Sequence, residues 1–375
     1  MAAHAKIVTS LLACGLPIEN RMGIGTAVDF SPSPAPPPRP RLATQAVRLQ
    51  TAPAPRIVAI GGGTGLPAVL EGLCDRAGKS TPERDTITAV VTVTDDGGSS
   101  GRLRKEFGVL PPGDVRNCLA AFVEDGSPFK QLLQHRMGDA AHPVGNLLLT
   151  ALTQITGSFP DAVTQLGQMI GLRGRVLPTT GEDVRLRAEM ESGQILTGET
   201  AIVEQRRGIR RLSLDPSPRP LPEVLRALVN ADAIVVGPGS LYTSTLPNLL
   251  VEGIASTMSG VNAVRIYVAN LMTEPGETDG FSLDDHLRVI REHTGFDLFD
   301  YILVNRRPLP DALVERYATQ GSHPVRCDQP LRWAGRAKIV EADFACETLL
   351  DRGKIRHEPT SLAAGIRGLI ELGRP

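Results

Sequence analysis

One junction constrains the fold of this chain more than any other feature. The run Arg56-Ile57-Val58-Ala59-Ile60 is apolar and rich in β-branched residues, and it ends at Gly61-Gly62-Gly63-Thr64-Gly65. Leu66, Val69, Leu70 and Leu73 then recur at helical spacing. Such a run reads as a buried strand, the glycines as a tight turn, and the spacing as a helix laid back against the strand. Thr86 to Thr94 is a second strand, almost wholly apolar or Thr, and Ala231 to Val236, Ala263 to Ala269 and Asp300 to Val304 add three more. Near-continuous apolar strands suit a parallel sheet covered on both faces. Helical stretches such as Leu221 to Val229 and Leu283 to His293 alternate with them. The fold class expected is therefore α/β, a Rossmann-like, doubly wound, mostly parallel sheet. Gly198 to Leu214 alternates instead, with a break at Gly208, and reads as a hairpin or a small antiparallel lobe, in an insertion spanning about residues 181–222.

Before Arg56 the chain changes character. Residues Ser31 to Pro40 form a Pro-rich run, and Pro53 and Pro55 follow. That composition cannot build a core, so residues 1–55 read as a disordered leader and 56–375 as the folded domain. Ile7 to Leu16, with Leu11-Leu12-Ala13-Cys14, weakly resembles a lipoprotein signal but is short, broken by Thr9 and Ser10, and preceded by a single Lys. No apolar run approaches the roughly 20 residues of a membrane helix, and a cytoplasmic protein is expected.

Composition removes several classes of function. Of 375 residues, 41% are hydrophobic, enough for a sizeable core. Lys and Arg number 40 against 41 Asp and Glu, a balance that suggests neither a nucleic-acid nor a membrane-surface partner. The five cysteines lie far apart with no C-x-x-C pair, so neither a zinc site nor a disulfide framework is expected. There is no G-x-S-x-G, and no Lys stands in the glycine loop to make it a Walker A.

The polar residues gather where the strands end. Gly63, Gly65 and Ala68 fit G-x-G-x-x-A, and Gly62 to Gly65 would bring backbone N–H groups and a helix N-terminus to a phosphate. The second strand ends in Asp95-Asp96-Gly97-Gly98-Ser99-Ser100-Gly101-Arg102. An acidic residue there accepts ribose hydroxyls in dinucleotide folds, although the spacing from the loop is about 30 residues rather than about 20. Asp95 and Asp96 are also a candidate Mg²⁺ site, and Arg102 and Arg104 candidates for phosphate charge. Asp114 reads as a helix N-cap, which puts Arg116 and Asn117 in the first turn with their side chains available to a ligand. His142 and Asn146 precede an apolar helix, Leu147 to Leu152, and can either bind or cap. Gly237-Pro238-Gly239-Ser240 is a second phosphate-type loop, with Tyr242 just beyond it, and Asn270, Thr273, Glu277 and Thr278 follow the next strand. Two such loops suit a ligand lying across a topological switch point. Cys118 reads as core.

Taken in order, GGGTGL at Gly61, DDGGSSGRLR at Asp95, LPPGDVRNC at Leu110, GNLLL at Gly145, GRVLPTT at Gly174, GPGSLYTS at Gly237, PNLLV at Pro247 and MTEPGET at Met272 closely resemble the gluconeogenesis factor family. This is the YvcK-like branch of the CofD-like superfamily. The resemblance covers Arg56 to Asn305, with Pro143 where a Ser is common and Glu274 where a Gln is common. Beyond it, Ala334 to Glu347 and Ser361 to Leu372 read as a last strand and helix. The resemblance implies a nucleotide-sugar partner, chiefly a UDP-sugar, and regulation of carbon metabolism, cell-wall precursor synthesis and cell shape, in a homo-oligomer. The alternative it implies is an enzyme like 2-phospho-L-lactate transferase, using a nucleotide diphospho-substrate and Mg²⁺. The polar motifs contain no Trp or Phe to stack on a deazaflavin ring, which favours a binding protein. An NAD-dependent dehydrogenase rests on the glycine match alone.

Overall fold

A computed structural model describes residues 54–74, 86–137, 141–205 and 208–373, so the Pro-rich leader expectation lies outside the described residues. The sheet strands are β1 (Arg56–Gly61), β2 (Thr86–Val91), β5 (Arg175–Pro178), β9 (Ala233–Val236), β10 (Val264–Val268), β11 (Tyr301–Asn305) and β12 (Lys338–Ala342). They stand in the order β12-β11-β10-β9-β1-β2-β5, and every neighbouring pair is parallel. The chain steps outward from β1 through β2 to β5, then returns to the other side of β1 and steps outward again from β9 to β12. The direction reverses between β1 and β9, which is where open α/β sheets form a crevice.

Alternate residues of β1 explain why the strand is apolar throughout. Ile57 and Ala59 enter one core with Leu66, Leu70, Leu119 and Ile366. Val58 and Ile60 enter a second core with Leu186, Leu241, Ile254 and Leu287. Successive side chains point to opposite faces, and both faces are covered. Each such Ile or Val contributes on the order of 1.5–3 kcal/mol by leaving water. Register is regular, with Ile57 opposite Ile87 and Ile60 opposite Val90.

The helices end where local chemistry dictates. Leu283–Thr294 begins with a capping box between Ser282 and Asp285 and ends at Gly295. The apolar stretch after His142 becomes the longer helix Val144–Thr156, and the last predicted helix becomes Pro359–Gly373. A two-residue pair, β3 (Arg136–Met137) with β4 (His142–Pro143), closes the turn before the first of these.

The antiparallel lobe is present but built differently from the expectation. Its hairpin is β6 (Arg185–Met190) with β7 (Ile195–Thr197), and β8 (Ile209–Asp215) pairs on the other side of β6. Gly198 to Leu214 is therefore not a hairpin. Its first part is the short helix Glu199–Glu204, whose Thr200 N–H and hydroxyl both donate to the Asp96 carboxylate, at 2.9 and 2.7 Å. A cap supplied from 104 residues away overrides the local alternation. Arg104 also corrects its expected role. It is buried, ion-paired with Asp183, and donates to the Val184 carbonyl at 2.8 Å, so it fastens the lobe rather than meeting a ligand phosphate. Among the described residues no helix is long and apolar enough to cross a membrane.

Candidate functional site

The two glycine loops leave β1 and β9 side by side at the switch point and lean on one another. A Cβ on Gly65 would collide with the Pro238 carbonyl, so only glycine lets the two backbones approach this closely. Gly63 sits at φ +62° and Gly237 at φ +78°, conformations that side chains disfavour. The ten-residue helix Gly65–Cys74 begins directly at the first loop, with its first N–H groups at the crevice. The second loop runs into a single π turn, Leu241–Thr245, capped by the Ser240 hydroxyl.

These loops form the floor of a cleft of about 840 Å3. Of the predicted residues, Gly63, Thr64, Gly65, Gly239, Ser240 and Asn270 line it. Asn270 holds the second loop by both ends of its amide, accepting from Gly239 N–H at 3.1 Å and donating to Gly239 O at 2.8 Å. Ser240 donates to Glu277, whose carboxyl also accepts from the Thr243 hydroxyl at 3.4 Å. Burial pushes the Glu277 carboxyl up to about 7, against the opposing pull of the Ser240 bond. Burial raises Glu274 as well, offset by the Arg356 charge.

The remaining predicted residues form a polar group behind the first loop. Asp114 corrects its expected role. Pro112 takes the N-cap position of the helix Gly113–Phe122, and the Asp114 carboxylate turns back to accept from Gly63 N–H. A Cβ on Gly62 would stand 2.6 Å from that carboxylate, which accounts for the second glycine. Burial raises Asp114 to about 6, with the Asp95 charge adding to the rise and the Gly63 bond opposing it. Asn117 donates to Gly63 O at 3.4 Å and receives a bond from Arg116. The Ser99 hydroxyl meets His142 Nδ1 at 2.7 Å and the Asn146 amide at 3.0 Å. The Asn146 Oδ1 and the Arg116 Nε are buried without a hydrogen-bond partner. Ser100 accepts from Gly113 N–H at 3.2 Å, and Asp95 from Gly97 N–H at 2.8 Å. Half-buried Glu199, carried in by the lobe, faces Asp95 and Asp114, and burial holds its carboxyl well above the usual range.

Several predicted residues stand elsewhere. Arg102 is exposed on the helix Gly98–Phe107. Gly237 makes the turn itself. Thr273 is buried, and its hydroxyl accepts from His323 N–H at 2.9 Å, so it tethers a later loop. Tyr242, just beyond the second glycine loop, packs edge-on against Phe281 and His293 inside the core. The far wall of the cleft was missed in the sequence: Arg316, Tyr317, Arg352, Lys354, Arg356 and His357. The dense charge of Arg352 to Glu358 was the available signal, but it lies beyond the last recognised motif. The cleft is thus basic on its C-terminal wall and acidic beneath, at Glu199, Glu274 and Glu277.

Residues 57–345 match the profile of the family described as 2-phospho-L-lactate transferase CofD. A gluconeogenesis factor of Halalkalibacterium halodurans is 46% identical over 278 residues, covering 73% of this chain and 84% of that protein. The gluconeogenesis factor of Bacillus subtilis is 44% identical over 279 residues, covering 73% of this chain and 86% of its own. A crystal structure of a UPF0052 family member from Bacillus halodurans shares the fold with a TM-score of 0.78 at 41% identity, covering 84% of this chain and 99% of that one. The match runs through both glycine loops and the sheet that carries them, and the protein is accordingly a member of the CofD family, alongside the gluconeogenesis factors.

Proposed function

We propose that the protein binds a nucleotide sugar, a UDP-sugar, across the switch point, and acts as a regulator of carbon metabolism, cell-wall precursor synthesis and cell shape rather than as an enzyme. The observation that carries this reading is the pair of apposed glycine loops under a cleft with one basic wall. A diphosphate fits backbone N–H groups and a helix N-terminus on one side and guanidinium groups on the other. The cleft volume falls within the range of small-molecule sites. Tyr317 is the only Phe, Tyr or Trp among the described lining residues, a sparse provision for a flavin-like acceptor.

Among the described residues no cluster of three or more His, Cys, Asp or Glu is placed to hold a metal ion. Mg²⁺ carried by a diphosphate needs only one or two protein carboxylates. Asp95, whose carboxylate accepts one bond, from Gly97 N–H, would be freer for it than Asp96, whose carboxylate accepts two from Thr200. Bound there, the ion would neutralise diphosphate charge.

The second reading, a transferase of the 2-phospho-L-lactate type, is favoured by one observation: Asp114 and Glu277 titrate near neutrality beside the loops, as a proton-transfer group would. Native mass spectrometry of the purified full chain, followed by calorimetry with UDP-glucose, tests the first reading. A co-purifying mass of a nucleotide sugar and saturable binding are expected. Binding of neither UDP-glucose nor any other UDP-sugar sinks it. Turnover of a deazaflavin acceptor would select the second.

A further inference from the structure

A second cavity, of about 360 Å3, opens next to the cleft at the C-terminal ends of β10 and β11. Leu271, Leu283, Val304, Leu309, Val314 and Val325 supply apolar walls. One strongly cationic group faces them, the half-buried Arg307. Its guanidinium is ion-paired loosely with Asp343 and Glu347, at 3.7 and 3.5 Å, both outside the pocket lining, and neither contact is a hydrogen bond. The Arg307 Nε is buried without a partner. A guanidinium offers five N–H donors in a planar fork that a carboxylate can satisfy in pairs. The other polar side chains are committed or peripheral. Asn305 accepts from the Arg307, Phe344 and Ala345 N–H groups, and Asn270 clamps Gly239. Asp311 sits exposed in the first turn of the helix Asp311–Ala318.

We propose that this second pocket binds a small organic carboxylate with an apolar body, its carboxylate on Arg307, and that its occupancy is felt in the main cleft. Two structural links carry the coupling. Asn270 and Leu271 line both cavities, so the wall between them is one strand end. The helix Asp311–Ala318 spans both, with Asp311 and Val314 at the second pocket and Arg316 and Tyr317 at the cleft. That helix buries Leu313, with Tyr317 packed beside it, in a small satellite core with Leu271, Met272, Ala345 and Ile355, and its C-terminal end is tied to the segment after it by Tyr317 and Arg316, which bond Ile355 and Gly353. An element held by so little apolar contact is easily shifted or steadied by a ligand at one end.

The test uses the full chain without nucleotide, so it stands or falls apart from the nucleotide-sugar reading. 4-Methylpentanoate is titrated by calorimetry against 4-methylpentanamide, its neutral analogue, on wild type, Arg307→Gln and Leu309→Trp. The first variant removes the charge and the second fills the pocket. Binding of the acid but not the amide is expected, weakened about tenfold or more in Arg307→Gln and abolished in Leu309→Trp. Cys327 lines the pocket, so its alkylation, read by peptide mass spectrometry, should slow in the presence of the acid. Amide exchange across Asp311–Ala318 should slow too. Should Arg307→Gln melt early, Leu309→Trp and Cys327 protection decide. Equal binding of acid and amide, or Cys327 labelled at the same rate with and without acid, overturns the carboxylate site. Unchanged exchange in the helix overturns the coupling.

Discussion

The loops after β1 and β9 share glycines, position and proximity, yet they are held by opposite means. The first is short and passes straight into a ten-residue helix, with its backbone pinned from behind by Asp114 and Asn117. The second passes into a π turn, and its hydroxyls are already bonded, Ser240 to Glu277 and Thr243 to Ser240. A helix N-terminus keeps free N–H groups for an anion, whereas a loop saturated by its own side chains offers mainly shape. The comparison assigns charge recognition to the first loop and cleft geometry to the second, and each substitution below separates the two.

The largest effect belongs to the contact between them. Gly65→Val drives a side chain into the Pro238 backbone, which cannot yield without moving β9's loop. Loss of both UDP-sugar binding and a cooperative melt near the wild-type temperature is expected. A native melting curve would show that the loops are not packed as described.

Gly63→Val comes next and isolates recognition from folding. Its nearest neighbour is the Ser244 hydroxyl, 3.1 Å from a built Cβ, so the damage comes mostly from the φ of +62°. Left-handed backbone costs roughly 1–2 kcal/mol for a non-glycine residue. The protein should therefore stay folded, with that loss read in chemical denaturation, while calorimetry shows UDP-sugar affinity down about a hundredfold or more as backbone N–H donors are displaced. Near-wild-type affinity would reduce the first loop to a turn.

Asn270→Ala addresses the second loop alone. It removes two bonds to Gly239, each worth roughly 0.5–1.5 kcal/mol, and frees the loop without touching the first. If the second loop supplies shape rather than charge, affinity should fall only about tenfold, and its dependence on salt should match wild type. A changed salt dependence would reverse the division of labour between the loops.

The same contrast explains what could be read from the sequence. Six of the seven sheet strands, their parallel pairing and both glycine loops were legible because apolar runs and glycine turns are local signals, whereas the short edge strand β5, only Arg175 to Pro178, was not read as a strand. β1 needs no partner to look buried, as Ile57 through Ile60 are apolar on both faces. What failed was set by distant contacts. The helix Glu199–Glu204 forms because Asp96 caps it from another strand end. Arg104 looked like a phosphate ligand beside Arg102 until Asp183 engaged it. Asp114 looked like a cap because Asp favours that position, yet the Gly63 N–H holds it instead. The basic wall came from the final sixty residues, where single charged side chains carry no spacing that marks a site.

The effect confined to a pH window is the most discriminating, because it changes one proton on the second loop. Glu277 ionises at about 7 where a solvated glutamate ionises near 4.3. A carboxyl with a raised folded pKa favours the protonated fold, so its penalty is absent below about pH 4, grows as pH rises toward 7, and is full above that. Glu277→Gln keeps an acceptor for Ser240 and removes the charge, so the variant should gain stability relative to wild type at pH 8 and none at pH 4. An anion nearby raises the pKa of a carboxyl further, so binding takes up a proton and affinity must fall as pH rises through 7. A nucleotide sugar is the right probe, since its diphosphate is a diester whose charge does not change over this range. If binding raises the Glu277 pKa by about one unit, affinity drops about tenfold between pH 6 and 8.5. In Glu277→Gln that step should vanish, leaving the dependence set by Asp114, raised to about 6 behind the first loop, and by Glu199 and Glu274, whose carboxyls burial also raises. A step lost in Glu277→Gln and a different one lost in Asp114→Asn would show the loops titrating independently; a pH dependence removed wholly by Glu277→Gln would mean that the second loop governs charge after all.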